Sequence, residues 1–299
     1  MIDRKPLTWF LAIAFTISWI LFLIPLAFHG IAASAQQFLR VSLWALAMWG
    51  PGLGTIIATT RVAKEPFSTL RLNTLGAKRF YLWALILPTM LVIAAGALTM
   101  LFGIAQFDPQ FNLIRESMKN APGAESINPL IVISAQAAFA ILLAPFFNML
   151  FALGEELGWR GFLLPRLLPL GQWQAIIITG VVWGIWHAPA IIQGLNYPGY
   201  PFAGIFMMIV FCVLLGTILS WLYLNTRSPW TTALAHGAVN AVAGLPVLFL
   251  KPGFNMAFGG TLATFPAWIA MIIFIGWLVA SKRLPVRDWK NESNIKQPN

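Results

Sequence analysis

The sequence predicts an all-α, polytopic membrane bundle of about eight transmembrane helices around a polar intramembrane cavity, and three observations carry that expectation. Apolar residues make up 59% of the 299 positions and charged ones only 9%, with a mean hydropathy of +0.78. That lies outside the range of soluble globular domains. Eight apolar runs each approach the roughly 20 residues a helix needs to cross the hydrocarbon core. Within these runs or at their edges stand a few ionisable side chains, Glu155, Glu156, Arg160, His187 and His236. Such groups are expensive to keep near a bilayer and mark chemistry, transport or a structural ion pair.

The runs fall near 7–28, 41–60, 80–105, 129–151, 172–194, 202–224, 230–250 and 262–280. The first follows Asp3-Arg4-Lys5 and is longer than a secretion-signal core, so it reads as a retained helix. It ends at His29-Gly30, where His29 has no polar companion and is assigned no role. The second leads into the basic stretch 61–79, and the third into the polar stretch 106–127. The fourth delivers the two carboxylates, after which Pro165 and Pro169 bracket the turn into the fifth. The sixth carries Cys212, the single cysteine, which excludes an intramolecular disulfide and a multi-cysteine metal site and reads as a small apolar filler. The eighth leads to a polar tail, 281–299, expected to be cytoplasmic and disordered. The whole chain reads as one membrane domain without internal repeats.

The formal net charge is +10, yet the cations are scattered among loops, which argues against nucleic acid and for membrane lipids as partners. Placing the amino terminus in the cytoplasm leaves 15 Lys and Arg inside and 4 outside. That asymmetry predicts both termini inside and an even number of spans. Short loops suggest a bacterial cytoplasmic membrane.

Glu156 and Arg160 stand at i and i+4, the order in which a carboxylate and a cation meet on a helix. Glu155, about 100° further round, is left without that partner. This suits it to take a proton from water. Trp183 and His187 share a face of the fifth helix, and His236 and Asn240 share one of the seventh. His187 is expected to orient the water with Glu155, while His236 and Asn240 donate to a developing oxyanion. An alternative is zinc held by Glu155, His187 and His236, with a fourth position for water. The missing H-E-x-x-H pattern and the poor ligand quality of Asn favour metal-free chemistry; both routes stay open. Trp159, Trp183 and Trp186 read as packing or interface residues. With the runs as drawn, Glu155 and His236 fall near the ends of their spans and His187 nearer the middle. Convergence then requires tilt, a longer fourth helix or a shifted boundary in the fifth.

Taken together, Glu155-Glu156-x-x-x-Arg160, Trp183-x-x-x-His187 and His236-x-x-x-Asn240 on successive helices resemble the CAAX protease and bacteriocin-processing family of intramembrane peptidases, over about residues 130–250. The resemblance implies a helical fold with a polar cavity open to the cytoplasm. It also implies hydrolysis of a peptide bond in a prenylated or other membrane-associated protein or peptide. Glu155 and His187 would act on water, His236 and Asn240 on the oxyanion, and Glu156 with Arg160 in support. The family's second motif commonly begins with Phe, where this chain has Trp183. Two other readings are a non-catalytic bacteriocin-immunity or interaction protein on the same scaffold and a proton-coupled transporter using Glu155 and the histidines as a relay. Every motif position is filled, which argues against the first, and duplicated broken helices are lacking, which argues against the second.

Overall fold

The computed structural model describes residues 2–28, 30–119, 123 and 127–287. His29 and the part of the expected tail beyond residue 287 lie outside them. Thirteen α-helices occur among the described residues: α1 (Arg4–Leu23), α2 (Ala33–Ala47), α3 (Gly50–Ile57), α4 (Arg79–Leu101), α5 (Asn112–Met118), α6 (Pro129–Leu142), α7 (Ala144–Glu156), α8 (Leu164–Leu167), α9 (Gln172–Trp186), α10 (Ala188–Ile192), α11 (Pro201–Thr226), α12 (Pro229–Val242) and α13 (Phe265–Ala280). The fold is an all-α bundle; the single β-type pairing described is an isolated bridge between Phe107 and Leu250.

Helix starts follow local chemistry. Asp3, Asn128 and Ser228 each accept a hydrogen bond from the amide two residues on, capping α1, α6 and α12, and Pro129 and Pro229 occupy first-turn positions where no amide hydrogen is needed. Large apolar side chains such as Ile93, Leu101, Phe202, Phe206 and Ile273 are exposed on the outside, as a lipid-facing surface requires.

Each of the eight apolar runs is largely helical. Five helical segments are long and apolar enough to cross a membrane: Arg4–Ala27, Ala33–Val62, Arg79–Leu101, Pro201–Thr226 and Pro229–Phe249. A sixth arises if Pro129–Leu142 and Ala144–Leu170, bent by 45°, count as one span. The fifth and eighth runs yield α9 and α13, of 15 and 16 residues, shorter than a full crossing.

At the centre, α12 packs along α7 and also meets α4 and α11; α9 lies along α11, and α1 along α3. The α9–α11 contact depends on small residues. A Cβ on Gly184 would sit 2.5 Å from the Ile209 Cα, and one on Gly180 would sit 2.7 Å from the Val213 Cα. The pair thus approaches backbone to backbone. The turn into α9 comes at Gly171, with φ +109°; Pro165 lies inside α8 rather than in the turn. The first residues of the expected tail are packed. Leu284 is buried, and the Gln172 side-chain amide donates to the Val286 carbonyl at 2.6 Å and accepts from its amide at 2.9 Å.

Candidate active site

The two carboxylates do not end a helix. From Ala144 the chain stays helical to Leu170, passing through a π-helical turn, Leu157–Leu163, directly after Glu156. Such turns recur at functional sites. Glu155 therefore lies well inside a long segment, and the fourth helix is longer than the apolar run suggested. The fifth run breaks at His187, whose φ of −75° and ψ of −9° separate α9 from α10. Glu155 and His187 line the same cavity.

Glu155 is buried and has no cationic partner among the described salt bridges. Its Oε2 accepts from the indole N–H of Trp183 at 2.5 Å and of Trp159 at 3.3 Å. With Oε2 engaged twice, Oε1 is the oxygen left to face a water molecule. The tryptophans assigned above to packing thus hold the carboxylate, a role hidden in the sequence because an indole's partner is defined only once helices pack. Trp186 does behave as a packing residue, edge-on to Phe22 and Trp159.

Glu156 makes the ion pair with Arg160 that the spacing predicts and one contact more. Its Oε1 accepts from Arg160 Nη1 at 2.8 Å and meets His236 Nδ1 at 2.9 Å. All three side chains are buried. The Arg160 guanidinium also lies over the Trp183 ring, 4.3 Å from its centroid, a favourable face for a cation. Arg160 has room because Gly216 faces it: a Cβ there would come within 3.2 Å of Nη2. Glu156 Oε2 and Arg160 Nε and Nη2 have no hydrogen-bond partner among the described residues.

The two histidines are oriented by their Nδ1 atoms. His187 Nδ1 lies 2.9 Å from the Trp183 carbonyl. A carbonyl only accepts, so Nδ1 carries the hydrogen and Nε2 offers a lone pair. His236 is held by Glu156 in the same manner, leaving its Nε2 as the outward atom. Cys212 is buried as expected, with its Sγ 3.9 Å from His187 Nδ1.

Glu155, His187, His236 and Asn240 line a single cavity of about 450 Å³, a size typical of ligand sites. Asn240 is the exposed member of the four. Trp44 of α2 and Met48, just past its end, also line the cavity, as do Leu262 and Ala263. Tyr197 fixes that last segment by donating to the Ala263 carbonyl at 2.6 Å; burial pushes its phenol up, so the hydroxyl keeps the proton it donates. Among the described residues no three His, Cys, Asp or Glu side chains form a group able to hold a metal ion.

Residues 134–242 match the family model described as Type II CAAX prenyl endopeptidase Rce1-like. The match covers about a third of the chain and contains Glu155, Glu156, Arg160, His187, His236 and Asn240. No curated protein matches the chain.

Proposed function

We propose that the chain is an intramembrane endopeptidase that hydrolyses a peptide bond of a membrane-associated or prenylated protein or peptide, using water activated by Glu155 and His187. The observation that carries this reading is the convergence of Glu155, His187, His236 and Asn240 on one cavity inside the Rce1-like segment.

Water held between Glu155 Oε1 and His187 Nε2 loses a proton to Glu155 as it attacks the carbonyl carbon. The developing oxyanion accepts hydrogen bonds from His236 Nε2–H and the Asn240 amide. This role requires both ring nitrogens of His236 to carry hydrogen, Nδ1–H on Glu156 and Nε2–H on the oxyanion. When the C–N bond breaks, the proton on Glu155 passes to the leaving amine. Glu156 and Arg160 act indirectly, through the aim of His236.

The test is cleavage of a farnesylated CAAX peptide, followed by mass spectrometry, with detergent-purified protein and its Glu155→Ala variant, each with and without a zinc chelator. Wild-type cleavage that survives the chelator and disappears in a monodisperse Glu155→Ala protein is the expected result. Full activity in that variant removes Glu155 from the mechanism, and loss of activity with the chelator moves the chemistry to a metal.

A further inference from the structure

A second cavity, of about 390 Å³, lies where the amino-terminal end of α4 meets the carboxy-terminal ends of α11 and α13. Four cations line it: Arg79, Lys282, Arg283 and Arg287. None of them pairs with a carboxylate in the salt bridges among the described residues. Phe80, Trp83 and Trp221 form its floor. Their rings pack edge to face, with centroids 5.5 Å apart for Phe80 and Trp221 and 5.8 Å for Trp83 and Trp221.

This wall is built into the fold. Buried Leu284 and the paired Gln172–Val286 hydrogen bonds hold the segment after α13 against the start of α9. Lys282, Arg283 and Arg287 are thereby brought to the cavity lined by Arg79. Like charges gathered with no carboxylate paired to them among the described residues repel one another, and guanidinium groups match phosphoryl oxygens in shape and charge. The location selects among phosphoryl carriers. Arg79 begins α4, a helix long enough to cross a membrane, the other three cations follow the apolar helix α13, and all four share the cavity with aromatic rings of the type found at head-group level.

We propose that this cavity binds the phosphoryl head group of an anionic phospholipid. The site is separate from the catalytic cavity. On α11 the nearest residues lining the two are Leu215 and Trp221, about 9 Å apart along the helix axis, and the proposal does not depend on peptidase activity.

The experiment is native mass spectrometry of the delipidated full-length protein, titrated with dioleoylphosphatidylglycerol, dioleoylphosphatidylcholine or glycerol 3-phosphate. Three proteins are compared: wild type, a pocket variant with Arg79→Gln, Lys282→Gln, Arg283→Gln and Arg287→Gln, and a control losing the same charge through Arg4→Gln, Lys5→Gln, Arg61→Gln and Lys64→Gln. Expected are retention of phosphatidylglycerol over phosphatidylcholine by wild type and control, a loss of the order of 100-fold in the pocket variant, and no comparable binding of glycerol 3-phosphate. Should the fourfold variant not purify, Arg79→Gln with Arg287→Gln, both exposed positions, gives the same reading with a smaller loss. Wild-type affinity in the pocket variant overturns the proposal, as does an equal loss in the control, which would reduce the effect to bulk charge. Glycerol 3-phosphate binding as tightly as the lipid overturns the lipid assignment and makes the ligand a soluble phosphate ester.

Discussion

Three interactions meet at Trp183: its indole N–H reaches Glu155, its ring face carries Arg160, and its ring packs edge to face with His236 at 5.3 Å. Trp183→Phe keeps an aromatic face and removes the N–H. A hydrogen bond to a charged group is worth about 1.5–3 kcal/mol, so kcat is expected to fall by roughly 10- to 100-fold with KM little changed, as steady-state peptide cleavage would read. Phe is the commoner residue at this motif position, and full activity of the variant would mean that the indole bond does not contribute. Arg160 presents a different case. Removing it strands Glu156 in a buried site with only His236 as partner, and unpairing a buried ion pair costs about 3–5 kcal/mol. Arg160→Ala should therefore lower the thermal midpoint in detergent as well as the rate. An unchanged midpoint would show the pair to be dispensable for stability. The Glu156–Arg160 pairing was legible from its i, i+4 spacing. The Glu156–His236 contact was not, because it joins side chains 80 positions apart and depends on α12 lying against α7.

At the level of the helices, the position of His187 depends on how closely α9 approaches α11. A methyl group at Gly184 would intrude on the Ile209 backbone, which cannot move aside as a flexible side chain can. Gly184→Ala should cost about 1–3 kcal/mol through overpacking and reduce kcat by shifting His187, three residues on. A variant with wild-type melting and cleavage would show that the contact relaxes freely. The π-helical turn has a comparable effect on the other side of the site. It lets the helix run on past two carboxylates and a buried Arg that hydropathy alone reads as the end of a span. The break at His187 was equally hidden, since Trp186 and Ala188 look continuous in an apolar run. Hydropathy reports where a helix avoids water; here the polar groups avoid lipid by turning into one another.

Across the whole molecule, the all-α class and the positions of the helices were readable because lipid leaves the backbone few alternatives. Length and apolarity give five or six candidate spans among the described residues, because α9 and α13, of 15 and 16 residues, are shorter than the apolar runs that contain them. The packed start of the tail escaped detection because a single glutamine side chain, Gln172, pins it. The cavity lined by Glu155, His187, His236 and Asn240 has a further consequence for its substrate. A carbonyl inside a helix already accepts the amide four residues on, so it can meet donors in that cavity only when this bond opens. Under the peptidase reading, a helical substrate must therefore surrender its own hydrogen bonds before it is cut, and its local helix stability becomes part of the activation barrier. Two otherwise identical substrates differing by Ala→Gly beside the scissile bond differ by about 1 kcal/mol in that stability. The glycine peptide is expected to show a kcat/KM about fivefold higher; equal values would mean that the chain reaches the cavity already unwound.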